Sequence, residues 1–112
     1  MTMDKATNRK IIDFISDLRK ENGMILKAFL FGSYAKNTNR TDSDIDIAFV
    51  VEDIKDDEKF DLQVQLLLLS SKYDSRIEPH IISKDDLKSN DPFVAEVLNT
   101  GIEIDINKLN LV

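Results

Sequence analysis

Two aspartates two residues apart, Asp44 and Asp46, stand at the front of the apolar run IAFVV. At a strand rise of about 3.3 Å per residue, positions i and i+2 lie roughly 6–7 Å apart on one face of a sheet. Two carboxylates so placed repel each other unless a hard cation lies between them. Mg²⁺ suits the place, since it takes oxygen ligands at about 2.0–2.1 Å and is commonly held by one or two carboxylates plus substrate phosphates. A competing reading makes Asp42, Ser43 and Asp44 turn residues and points Asp46 to solvent.

Upstream, Gly32-Ser33 directly follows the apolar segment ILKAFLF. A glycine there lets a ligand approach the backbone closely, and Ser33 offers a hydroxyl and a backbone N–H at the start of a turn, which suits a phosphate. Taken alone, the pair reads as well as a strand-ending turn with a serine cap. Lys36 and Arg40 are the nearest positive charges in the same connection. Glycines occur only at 23, 32 and 101, too sparsely for the dinucleotide fingerprint or the P-loop.

The elements that must position these residues follow from periodicity. Ile11, Ile12, Phe14, Ile15 and Leu18 predict a helix over Asn8–Asn22, with Gly23 as a left-handed cap. Strands are predicted at Ile25–Phe31 and Asp44–Val51, joined by a polar stretch whose first residues suit one short helical turn. Glu52–Asp61, with six acidic and two basic residues, reads as a solvated loop entering a helix. That helix is expected over Asp57–Lys72 with Phe60, Val64, Leu67 and Leu68 on one face. Leu62, Leu66 and Leu69 widen its apolar surface toward a further partner. Arg76–Ser83 reads as a third strand, and Pro79 within it predicts an edge position or a bulge. Ser83 with Asp86 predicts a capped turn, Asp91-Pro92 opens another helix that Gly101 closes, and Ile102–Ile106 is a last short strand. The order predicts an α+β fold, a mixed sheet of about four strands flanked by helices.

Composition narrows the function. At 112 residues, the chain is expected to form a single domain over 1–112. The absence of cysteine excludes disulfides, thiolate metal sites and a cysteine nucleophile. A single histidine excludes a His-rich zinc site within one chain. No apolar run approaches the roughly 20 residues that span a bilayer, and no signal peptide is visible, so a soluble cytoplasmic protein without membrane association is expected. The balance of 15 basic against 21 acidic residues, net −6, weighs against a nucleic-acid backbone as partner.

The pattern apolar residue, Gly32-Ser33, ten residues, Asp44-x-Asp46 between apolar positions resembles the signature of the DNA polymerase β-like nucleotidyltransferase superfamily. In size the chain is most similar to its minimal nucleotidyltransferases, small prokaryotic proteins often paired with a HEPN-domain partner. RIEPHIIS and PFVAEVLNTGIEI are similar to the third strand and terminal helix-strand of those domains, so the resemblance spans nearly the whole chain.

This resemblance implies that Gly32 and Ser33 contact the triphosphate of a bound nucleotide, with Lys36 or Arg40 nearby as the pyrophosphate leaves. It implies that Asp44 and Asp46 hold two Mg²⁺ ions. A third acid is expected on the following strand, and Glu78 matches it as both metal ligand and catalytic residue. Two metals about 3.5–4 Å apart clamp the attacking and leaving oxygens of an in-line displacement, which is the chemistry expected here. The chain departs from many relatives in having Lys36-Asn37 where they carry arginine and glycine, and in a third acid followed by proline. His80 shares the strand face of Glu78 and reads either as a proton carrier or as a structural residue. Tyr34 reads as exposed beside the site or packed under the turn.

The leading expectation is transfer of a nucleoside monophosphate, AMP from ATP, to an acceptor hydroxyl, with a HEPN-type toxin as partner and the chain as its antitoxin. A homo-oligomer is the other way of completing the acceptor side. The alternatives are a binding module that neutralises its partner by contact and a nucleotidyltransferase of small molecules of the aminoglycoside type.

Overall fold

The computed structural model describes residues 4–21, 23–36, 38–40 and 42–106. In chain order it contains α1 (Lys5–Glu21), β1 (Ile25–Phe31), β2 (Ile45–Val51), α2 (Asp56–Ser71), β3 (Ile77–Ser83), a 3₁₀ turn (Lys84–Lys88), α3 (Pro92–Thr100) and β4 (Ile102–Ile104). The sheet order is β3-β2-β1-β4. The central pair β1–β2 and the pair β1–β4 are antiparallel, whereas β2–β3 is parallel and therefore needs the α2 crossover between its strands. The fold is thus α+β with a mixed four-stranded sheet. Among the described residues, no helix is long and apolar enough to cross a membrane.

Alternation along β2 explains why it occupies the middle. Ile45, Ile47, Phe49 and Val51 point into a core shared with α1 and α2. Ala48 and Val50 point the opposite way and pack with Phe29, Ile82 and the α3 residues Val94 and Val97. Helices cover both faces, so the strand reads as nearly continuous apolar sequence. Only at the entrance to the strand does the outward position, Asp46, carry a charge. Asp46 is only half-buried there, which leaves room for polar chemistry.

Several expectations are corrected. The first helix begins at Lys5, three residues before Asn8, because the Asp4 carboxylate accepts the Thr7 N–H at 2.7 Å and caps it. Its expected last residue, Asn22, lies outside the described residues, and the expected Gly23 cap adjoins it; Gly32 is the glycine shown with a positive φ. The strand expected from Asp44 begins at Ile45, and the last strand stops at Ile104 rather than Ile106. As expected, the stretch after Gly32 opens with a single turn of helical spacing, Lys36 N–H donating to the Gly32 carbonyl.

The largest correction concerns α2. Leu62 and Leu66 face the core at 5% and 0% exposure, with Leu69 packed beside them, whereas Phe60, Val64, Leu67 and Leu68 face outward. Its aliphatic residues are spread around the helix axis, so periodicity alone could not choose its inner face; contact with α1 and β3 chose it. By contrast, Pro79 does lie on an edge strand, its carbonyl accepting Gln63 Nε2 at 2.8 Å. Asp91 caps α3 as expected, accepting the Phe93 N–H at 2.9 Å.

Candidate active site

The parallel register sets Asp46 of β2 directly beside Glu78 of β3, and the antiparallel register sets Phe31 of β1 on the other side of Asp46. Two residues farther along, His80 lies beside Ala48 on the same face. The result is a polar cluster at one end of the sheet. One ligand atom each from Asp46, Glu78 and His80 fall within 4.8 Å of one another. His80 Nε2 lies 3.4 Å from Asp46 Oδ1. Asp44 precedes β2, is exposed and stands outside that trio, but its carboxyl is near enough to Glu78 to act on its ionisation.

Partial desolvation first, then the charges of Asp46 and Asp44, push the Glu78 carboxyl above its ordinary pKa, while His80 acts in the opposite sense. A carboxylate disfavoured by two carboxylate neighbours is one that a bound cation would relieve. The donor set therefore fits a divalent metal: carboxylate oxygens and one imidazole nitrogen on a face that remains partly accessible.

Gly32 shapes this cluster. Its φ is +73°, and a Cβ built there would stand 2.5 Å from Asp46 Oδ2. Only glycine leaves the Asp46 carboxylate its place while making that turn. Beyond Gly32 the chain is held by Lys36 N–H donating to the Gly32 carbonyl at 3.1 Å and Thr38 N–H donating to the Ser33 carbonyl at 2.9 Å. The next bend is closed by the Ser43 hydroxyl oxygen, which accepts the Arg40 N–H at 2.7 Å. Asn37, the departure from the arginine-glycine pattern, lies outside the described residues. Lys36 is half-exposed and pairs with Glu96 of α3 at 3.2 Å, and Arg40 lies farther along the same connection. These cations thus lie in the glycine-serine connection, and Lys36 is engaged by α3 rather than by the carboxylates.

Two sets of residues support the cluster, and in the first the packed alternative for Tyr34 is the one found. Tyr34 is buried beneath the turn, and its hydroxyl oxygen accepts Arg76 Nη1 at 3.1 Å. Arg76 also donates from Nη2 to Thr7 Oγ1 at 3.1 Å and to Asp74 Oδ2 at 2.7 Å, and from Nε to Asp74 Oδ1 at 3.0 Å. Its carbonyl accepts the Ile45 N–H at 2.8 Å, so one arginine joins α1, the glycine-serine turn and the entrances to β2 and β3. These bonds hold the buried Asp74 carboxyl down to a pKa of about 2 against the opposing effect of burial. The second set is aromatic. Phe31 and Phe93 flank the His80 ring at centroid distances of 5.1 and 5.6 Å and touch each other at 5.5 Å. The Asp-x-Arg spacing ahead of the third strand was a visible signal for the ion pair, while the aromatic set joins three separate segments and left none.

A four-stranded mixed sheet with an acid pair at the start of its central strand, a glycine turn against one of the acids and a third acid on the parallel neighbour defines a nucleotidyltransferase fold. Residues 10–108 match the family described as Polymerase beta, Nucleotidyltransferase, and the chain belongs to that family and is a nucleotidyltransferase. It is 35% identical over a 101-residue alignment to a relative from Methanocaldococcus jannaschii, provisionally named protein adenylyltransferase MJ0141, covering 85% of this chain and 99% of that one. A crystal structure of a provisionally named nucleotidyltransferase from Sulfolobus solfataricus superposes with a TM-score of 0.59 at 18% identity, covering 92% of this chain and 89% of that one. That likeness concerns the fold. A toxin-antitoxin crystal structure with AMP-PNP superposes with a TM-score of 0.56 at 26% identity, covering 92% and 77%. A point mutant of the toxin-antitoxin MntA-HpeT gives 0.53 at 26%, covering 93% and 77%.

Proposed function

We propose that this chain is a Mg²⁺-dependent adenylyltransferase that moves AMP from ATP to a hydroxyl on a protein partner, a HEPN-type toxin, and so acts as its antitoxin. The observation carrying the reading is the convergence of Asp46 and Glu78 beside the positive-φ Gly32. The relative named as a protein adenylyltransferase supports the protein acceptor, and the toxin-antitoxin neighbours, one with AMP-PNP, support both nucleotide and partner.

In this reading Asp44, Asp46 and Glu78 hold the divalent cations, which supply charge neutralisation at the triphosphate and a more acidic acceptor hydroxyl. Gly32 and Ser33 take the phosphates along the exposed backbone of the turn, with Lys36 and Arg40 at its far side. The acceptor oxygen bonds to the α-phosphorus as the bond to the pyrophosphate oxygen breaks in line. Glu78 takes the acceptor's proton. The absence of a side chain at Gly32 leaves the Asp46 carboxylate its space.

The test is calorimetric titration of Mg²⁺ and a non-hydrolysable ATP analogue into the wild type and the double variant Asp44→Asn/Asp46→Asn. The next step is transfer of labelled AMP to a candidate partner. Binding by the wild type alone, with label on the partner, is expected. Equal binding by both proteins would dispose of the metal assignment.

A second reading, neutralisation by contact alone, is favoured by one observation. Phe60, Val64, Leu67 and Leu68 form an outward apolar stripe on α2, with Phe60 and Leu68 at 69% and 64% exposure. Such a stripe suits a protein partner under either reading. Partner labelling that depends on Asp46 separates them.

A further inference from the structure

Three carboxylates suffice for the metal chemistry proposed above, yet the geometric cluster is not three carboxylates. It is Asp46, Glu78 and His80. The geometry points to His80 as a nitrogen ligand of one of the metal ions, making the centre a mixed oxygen–nitrogen site that favours first-row transition cations over Mg²⁺. This inference rests on the metal-centre reading and adds to it the donor type and the ion preference.

Three observations carry it. First, His80 Nε2 lies 3.4 Å from Asp46 Oδ1, longer than the roughly 2.9 Å usual for a strong hydrogen bond. Two donors bound side by side to one ion at about 2.0–2.2 Å are held roughly 3 Å apart. The observed pair needs only a small contraction to reach that spacing, and Glu78 is already within 4.8 Å of both.

Second, the ring is held. Phe31 meets it edge-on at 5.1 Å and Phe93 lies tilted against it at 5.6 Å, so its direction is set by packing. A ring serving only to fill the sheet face would need no polar atom directed at a carboxylate. Third, β-strand alternation puts residues 78 and 80 on one face, so two ligands arise from adjacent outward positions of one edge strand, with β2 supplying the third. Imidazole suits Zn²⁺, Fe²⁺ and Ni²⁺, whereas Mg²⁺ is held by oxygen; one nitrogen donor shifts the preference from Mg²⁺ toward the first-row cations, of which Mn²⁺, the weakest binder of that series, is the paramagnetic probe.

The chain contains one histidine, which makes the test direct. Untagged full-length protein, unlabelled and with ¹⁵N-imidazole histidine, is loaded with Mn²⁺ and measured by pulsed electron paramagnetic resonance. A directly coordinated imidazole nitrogen coupling that changes with the isotope is expected, and it can only come from His80. In parallel, calorimetry of His80→Asn should lower Mn²⁺ affinity by about tenfold or more and Mg²⁺ affinity by much less. Mn²⁺ binding that requires Asp46 but shows no histidine coupling would overturn the inference and leave the carboxylate centre standing. No binding of either ion to the folded wild type would overturn both. Equal losses for Mn²⁺ and Mg²⁺ in His80→Asn, without coupling, would assign His80 a packing role.

Discussion

Replacing Asp74 with asparagine tests whether the ion pair beneath the glycine-serine turn holds the site's framework together. Asp74 is 9% exposed and accepts three hydrogen bonds from Arg76: from its backbone N–H at 2.9 Å, from Nε at 3.0 Å and from Nη2 at 2.7 Å. These bonds hold its carboxyl down from 3.8 to about 2. At 1.36 kcal/mol per pH unit, that difference corresponds to roughly 2 kcal/mol of stability at neutral pH. The sign follows from proton binding. The folded state releases this proton more readily than the unfolded chain, so the stabilisation is fully present above the unfolded value of 3.8 and is lost as pH falls toward about 2.

Asp74→Asn should therefore lower unfolding free energy by about 2–3 kcal/mol at pH 7, since Arg76 also loses its charged partner. For a domain of this size that is a fall in Tm on the order of 10–20 °C. Urea unfolding of both proteins at several pH values gives the decisive curve. The difference between them should shrink to roughly half by pH 3, where the unfolded chain has taken up the proton that the folded state still releases. A difference below about 0.5 kcal/mol at pH 7, or one that stays constant from pH 7 to pH 3, would refute the reasoning. Because Arg76 also donates to Tyr34 under the turn, nucleotide affinity of the variant should fall even at temperatures where it remains folded.

Other substitutions probe the site and the helix faces. Gly32→Ala forces an L-residue to φ +73° and drives a Cβ against Asp46, so a loss of about 1–2 kcal/mol and weakened Mg²⁺-nucleotide binding are expected; Gly23→Ala, with open space around it, should be tolerated. Denaturation and calorimetry on the two variants check both halves. Glu78→Gln should raise the Tm of metal-free protein at pH 7. The folded state binds the Glu78 proton more tightly than the unfolded chain does, so its ionisation opposes folding; the gap should close as pH falls below the usual glutamate range, and a lower Tm would contradict it. Leu66→Ala should cost about 2–5 kcal/mol, whereas Phe60→Ser should stay within about 0.5 kcal/mol; comparable losses in urea would mean that the outward face of α2 is wrongly identified.

What could be read from the sequence was whatever depended on neighbours along the chain. Gly32-Ser33, Asp44-x-Asp46 and the Asp91 cap are local statements, and their elements formed within a few residues of expectation. Glu78 came from family resemblance, and its position beside Asp46 depends on a parallel register that no short stretch of sequence encodes. The inner face of α2 was misread for a related reason. In DLQVQLLLLS every angular sector carries an aliphatic residue, so the hydrophobic signal points nowhere, and the choice falls to which sector fits against α1 and β3. His80 and Arg76 mark the same boundary: each gains its meaning from partners more than 30 residues away, Asp46 for the one and Tyr34 and Thr7 for the other.

The consequence for function is specific. The sequence-local part, glycine turn and acid pair, is the part to which the proposed reading gives the transfer chemistry. The part assembled by tertiary register, His80 between two phenylalanines and an outward apolar stripe on α2, is where the proposed ion preference and partner surface of this chain reside.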